Sequence, residues 1–148
     1  MKRLLFTLVL AAGFIGFSSF KSNDDSVAPA ALQSFKSSFK SATEVIWSIS
    51  SSYYKANFAL NGQYVSAYYD TEGNMIALTR NISSLQLPIA LQASLKKNYE
   101  CYWITDLFEM ANQEGTTYYI TLENADTRLV LKSTSNSEWS SYKKQRKS

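Results

Sequence analysis

Beyond residue 30 the apolar positions recur first with a helical period and then with a strand period. Leu32, Phe35 and Phe39 fall at i, i+3 and i+7, with Lys36 and Lys40 off the stripe, which predicts an amphipathic helix. Pro29 suits its first turn, where the missing N–H costs nothing. After Ser41 the period drops to two: Val45, Trp47 and Ile49 alternate with Ile46, Ser48 and Ser50, and a strand is expected. Tyr54, Ala56, Phe58 and Leu60 then alternate with Tyr53, Lys55, Asn57 and Ala59 as far as Asn61-Gly62, a dipeptide that favours the positive φ angles of a two-residue hairpin. Val65, Ala67 and Tyr69 return against Tyr64, Ser66, Tyr68 and Asp70. A turn at Asp70 to Asn74 and a strand from Met75 to Arg80 complete an antiparallel meander.

The plan then recurs. Leu87, Leu91 and Leu95, with Pro88 near the start, predict a second helix ending about Asn98. Alternation resumes from Tyr102 to Met110 through Ile104, Phe108 and Met110. It continues at Tyr118, Ile120 and Leu122 after a turn at Glu114-Gly115, and at Leu129 and Leu131 after a turn at Asn124 to Asp126. Pairing Phe39 with Tyr99, Phe58 with Leu122 and Tyr69 with Leu131 gives offsets of 60, 64 and 62 residues, which fit an internal duplication. The expected fold class is α+β: tandem helix-plus-antiparallel-meander repeats, about 31–84 and 85–142, with the helices packed on one face of the sheet. The spacing leaves open whether the two sheets join edge to edge.

The first residues follow a different grammar. Met1, Lys2 and Arg3 precede an uncharged run from Leu4 to Phe17, with the small residues Gly16, Ser18 and Ser19 at its end. As a helix this run would rise about 21 Å, short of the roughly 30 Å hydrocarbon core. Residues 1–19 are therefore expected to be a signal peptide rather than a buried helix or an uncleaved anchor, 20–30 a linker, and 31–148 one domain with a basic tail at 143–148. Export to the periplasm or medium is implied, with no membrane span after signal removal.

Composition narrows the chemistry. The chain has 148 residues, 45% of them apolar and 18% charged, within the globular range. Histidine is absent and Cys101 is the single cysteine, which removes His-activated nucleophiles, His metal ligands, cysteine clusters and internal disulfides. Cys101 is expected to pack as a small apolar group rather than act as a reactive thiol. The formal charge of +3 is partly signal peptide, and without Lys2 and Arg3 the cations exceed the 12 anions by one, so charge offers no case for nucleic acid.

Leu32, Phe35, Phe39, Ala42, Val45 and Trp47, followed by Tyr54-Lys55-Ala56-Asn57-Phe58, Gly62, Ala67-Tyr68-Tyr69-Asp70 and Gly73, resemble the bacterial PepSY-like family, also described as beta-lactamase-inhibitor-like proteins. Leu87-Pro88 through Tyr99, Tyr118 and Leu131 look like a degenerate second copy. The resemblance covers about residues 31 to 134. It implies an exported, non-catalytic domain that binds or restrains other proteins, and it brings no catalytic residues and no cofactor. The Asp-x-x-Gly turn of Asp70 to Gly73 has no counterpart at Lys132 to Asn136, and no inhibitory loop is identifiable.

Assigning Tyr54, Phe58, Ala67, Tyr69, Tyr118 and Ile120 to the helix-covered face sends Tyr53, Tyr64, Tyr68 and Tyr119 to the other, with Lys55, Ser66 and Thr121. Tyr53, Lys55, Tyr64, Tyr68 and Tyr119 are the candidate binding residues, because tyrosine offers a large contact area at low entropic cost and keeps a hydroxyl for polar contacts. Tyrosines also form strands well and pair across them in water, an alternative without function. A protein or peptide partner is expected on this face. The alternative is a small-molecule carrier or sensor with a pocket lined by Trp47, Phe58 and Trp103. Asp70 and Glu72, Asp106 and Glu109, and Glu123 and Asp126 make no convincing catalytic pair or calcium site, so no enzyme activity and no metal are expected. Lys143-Lys144-Gln145-Arg146-Lys147 reads as a frayed, solvated terminus, with contact to anionic lipid, nucleic acid or an acidic partner as the sharper option. Asn81-Ile82-Ser83 is a glycosylation sequon, of consequence only on a glycosylating secretory route.

Overall fold

The computed structural model describes residues 26–148; the expected signal peptide and most of the expected linker lie outside the described residues. Two helices, α1 (Pro29–Ser38) and α2 (Ile89–Asn98), accompany eight strands. These are β1 (Thr43–Ile49), β2 (Tyr54–Leu60), β3 (Gln63–Tyr69), β4 (Met75–Asn81), β5 (Trp103–Asn112), β6 (Gly115–Glu123), β7 (Thr127–Ser133) and β8 (Ser140–Arg146). The strands follow one another in sequence order through a single antiparallel eight-stranded sheet.

That topology corrects the expected fold class. The chain is one continuous sheet carrying two short helices, not tandem helix-plus-meander repeats. The correction lies at the centre of the sheet, where Leu78, Thr79, Arg80 and Asn81 of β4 pair with Ala111, Met110, Glu109 and Phe108 of β5. An ion pair between Arg80 and Glu109 adds to this junction. Merging satisfies backbone donors and acceptors that two separate sheets would leave along open edges. The alternation within each strand is the same whether its neighbour comes from its own meander or from another.

The turns behave as their chemistry dictates. Asn61 and Gly62 both have positive φ, 50° and 78°, and close the β2–β3 hairpin at the Leu60–Gln63 pair. Asn124 accepts hydrogen bonds at Oδ1 from the amides of Asp126 and Thr127, turning β6 into β7.

Both cores lie on the same face of the sheet. Under α1, Val27, Ala31 and Phe35 pack against Trp47, Ala56, Phe58, Ala67 and Tyr69. Under α2, Leu87 and Leu91 pack against Leu107, Ile120, Leu122, Leu129 and Leu131. Each helix has only 10 residues, too few to be stable alone in water, so the helices depend on this docking. Phe58, Ala67, Tyr69 and Ile120 are buried beneath the helices as the alternation predicts.

Two local expectations change. Residues Lys143 to Arg146, read as a frayed tail, belong to β8 and pair with Thr127 to Val130. The strand is held because Lys147 closes its end: its amide donates to Asp126 O at 2.8 Å and its Nζ to Asn124 O at 2.8 Å. Cys101 is exposed in the turn between α2 and β5 instead of packing inside.

Candidate binding face

The face of the sheet opposite the helices carries a third, smaller apolar cluster. Tyr68, Ala77 and Met110 form its buried centre, with Tyr53, Ile76 and Tyr119 packed around them. Aromatic contacts extend it in both directions. The Tyr53 and Tyr68 rings lie 5.7 Å apart; Phe108 stacks on Tyr119 at 5.2 Å, and Tyr119 meets Tyr142 of β8 edge-on at 5.6 Å. A cation stands at each end: Lys55 Nζ lies 5.5 Å over the Tyr68 ring and Lys132 Nζ 5.8 Å over the Tyr142 ring. Lys55 on β2 and Lys132 on β7 are five strand spacings apart, about 24 Å at ~4.8 Å each. Partial burial holds the Tyr119 hydroxyl above the usual phenol range, with the neighbouring Tyr142 adding to the shift.

Tyr53, Lys55, Tyr68 and Tyr119 thus come together on one strip, although Tyr68 is only 7% exposed and acts as its floor. Tyr64 stands apart. Four residues from Tyr68 along β3, or about 13 Å, it is 74% exposed and donates its hydroxyl to Glu44 Oε2 at 3.0 Å. That hydrogen bond and the glutamate charge raise its pKa.

Phe108, Met110 and Tyr142 were missed as face residues. The alternation had placed Phe108 and Met110 with Ile104 on the apolar side, but a register shift between Ile104 and Asp106 reverses the order of facing along β5. Leu107 therefore points under α2, while Phe108 and Met110 point to the strip. No period-two count reveals a bulge. Tyr142 was hidden because its segment read as an unpaired tail.

The remaining candidate chemistry is dispersed. Glu109 pairs with Arg80 on the helix side, Asp106 lies opposite Thr121 on the other face, and Asp70 and Glu72 share an exposed turn. Glu123 meets Lys147 Nζ at 2.9 Å and Arg128 Nε at 3.4 Å. Among the described residues no group of His, Cys, Asp and Glu is arranged to hold a metal. Nor do Trp47, Phe58 and Trp103 line a common pocket. Trp47 and Phe58 are sealed in the core under α1, whereas Trp103 is 53% exposed with Lys147 Nζ 5.1 Å over its ring.

No protein-family model matches the chain, and no curated protein matches it significantly. Solved structures do match, among them several at 14–20% identity. One, described as a BLIP-like protein from Bacteroides fragilis, shares 20% identity with a TM-score of 0.68, covering 84% of this chain and 92% of its own. The fold is similar to that of BLIP-like proteins. A DUF2874 family protein from Bacteroides ovatus shares 20% identity at TM-score 0.72, covering 82% of this chain and 89% of its own. A Bacteroides eggerthii protein, described as a candidate periplasmic one, shares 14% identity at TM-score 0.70, with 81% and 88% covered. Among the described residues no helix is long and apolar enough to cross a membrane.

Proposed function

We propose that this chain is an exported, non-catalytic binding module of the PepSY-like, beta-lactamase-inhibitor-like kind, which holds a protein or peptide on the sheet face that the helices leave uncovered. The observation that carries this reading is the aromatic strip, Tyr53 and Tyr68 at one end and Phe108, Tyr119 and Tyr142 at the other, bracketed by Lys55 and Lys132. Rigid rings beside long cationic stems suit recognition, because they bury area with little loss of side-chain freedom. The description of one structural neighbour as BLIP-like, and of another as a candidate periplasmic protein, supports the same direction. Restraint of an enzyme is the narrower form of the proposal.

The test is site-directed photo-crosslinking in the native envelope. A photoreactive amino acid at Tyr119 or Tyr142 is expected to trap one dominant protein, and Lys55→Glu with Lys132→Glu to weaken the crosslink severalfold. Equal trapping from Lys36, exposed on α1, would remove the face-specific reading.

A further inference from the structure

The two cores beneath the helices are filled differently. Under α1, Phe35, Phe39, Trp47 and Phe58 interlock with ring centroids 4.7 to 5.4 Å apart. Under α2 the buried side chains are all aliphatic, and beside them opens a cleft of about 430 Å³. Leu95, Leu122 and the half-exposed Ile104 give it an apolar lining, Tyr99 and Tyr102 an aromatic one, and Ser84, Gln92, Lys96 and Glu100 a polar one. The volume falls within the ~300–1,000 Å³ range of small-ligand sites.

The walls are pre-formed. Gln92 Nε2 donates to Leu87 O at 2.8 Å and Leu85 O at 3.2 Å, tying the turn before α2 to the helix. Ser83 donates its amide to Gln86 Oε1 at 2.8 Å, which fixes that turn further. Tyr99 N donates to Leu95 O and Tyr102 N to Tyr99 O, so both tyrosines sit on hydrogen-bonded backbone, their rings 6.2 Å apart. Lys96 and Glu100 both belong to the polar lining, and neither forms an ion pair among the described residues. One cation and one anion beside an apolar lining match a ligand with both charges and an apolar body; a simple anion or cation would meet one attraction and one repulsion.

We infer that the cleft beside α2 is a binding site for a zwitterionic apolar ligand of dipeptide size, its carboxylate toward Lys96 and its ammonium toward Glu100. The site lies on the helix side of the sheet and does not depend on the strip described above.

Three probes with one apolar body test this: the dipeptide leucyl-phenylalanine, its N-acetyl form and its C-terminal amide, each titrated into the full mature chain and followed by amide NMR. The free dipeptide is expected to shift the resonances of Leu95, Tyr99 and Ile104 saturably, at least fivefold more tightly than either capped form. Lys96→Gln is expected to erase its advantage over the amide, and Glu100→Gln its advantage over the acetylated form. Leu95→Phe and Ile104→Trp each fill the cleft; either, if folded by near-UV circular dichroism, abolishes the shifts. Tyr119→Ser on the opposite face leaves them intact, so failure here is distinguishable from failure of the sheet-face proposal. Absence of saturable shifts at millimolar dipeptide, equal affinity for all three probes, or binding that survives both filling variants would overturn the inference.

Discussion

At Gly73 one hydrogen atom is all the structure admits. Its φ is +93°, and a Cβ there would lie 2.6 Å from Ala30 Cβ and 2.7 Å from the Ala31 amide nitrogen at the start of α1. Gly73→Ala combines left-handed strain with a clash against backbone, and is expected to cost about 2–4 kcal/mol in a denaturant titration. In the same turn Asp70 accepts hydrogen bonds at Oδ1 from the amides of Glu72 and Asn74, and at Oδ2 from the Asn74 side chain. Desolvation alone would raise its pKa, but these hydrogen bonds outweigh it and hold the carboxyl below the usual range. Its contribution is present above the unfolded value near pH ~3.9 and is lost as pH falls through the lower folded value; Asp70→Asn should flatten this acid limb of the stability profile. Tyr69 shows the opposite sign. Fully buried, its hydroxyl has no hydrogen-bond partner among the described residues; Ser34 is close enough to oppose the shift slightly without meeting bonding geometry. Burial pushes the phenol up to about 12, so stability is full below pH ~10 and falls as pH rises from there through the folded value. Tyr69→Phe is expected to be neutral, or stabilising by up to about 1 kcal/mol, at pH 7, and to remove most of that alkaline loss in urea titrations at pH 7 and 11. The sequence marked Gly73 as a turn residue and Tyr69 as a core residue, but neither the Ala30 contact nor the orphaned hydroxyl follows from spacing, since both arise between segments far apart in the chain.

Among the elements, β8 departs most from expectation. All seven of its residues are exposed, so it carries no apolar period, and its three cations, followed by Lys147, read as a tail. It exists because β7 offers it an edge and because the chain before it is anchored: Trp139 packs on the core under α2, and its indole Nε1–H donates to Leu91 O at 3.1 Å. Cationic side chains then protect the new edge from further pairing. Limited trypsin digestion is expected to cut after Lys143 and Lys144 only at a rate that tracks unfolding, whereas a frayed tail would be trimmed at once. Trp139→Phe should lose about 1 kcal/mol and speed that cleavage. The hairpins, by contrast, were legible to within a residue or two, because Asn61-Gly62 and Asn124 determine their own backbone geometry locally. In β5 the bulge near Thr105 defeated the count, since one extra residue exchanges the two faces without changing composition.

Over the whole molecule the two faces divide the work. One is closed by α1 and α2 and holds the cores; the other presents the aromatic strip with Lys55, Lys132 and Lys143 around it. A partner captured by this face through complementary charge is expected to associate more slowly as salt rises from 50 to 500 mM, with dissociation less affected, as stopped-flow kinetics would register. Lys132→Glu should lower the association rate roughly threefold and leave thermal stability almost unchanged. The alternation of residues along the strands and the stripe of each helix were enough to determine where most turns fall and, outside β5 and β8, which side chains turn inward, because these depend on local periodicity and on the residue types present. Tertiary structure alone decided that β4 joins β5, that β8 forms, that Phe108 and Met110 share a face with Tyr119, and that a cleft opens beside α2. Each of these rests on pairing or packing between segments distant in sequence, where no local pattern carries the information.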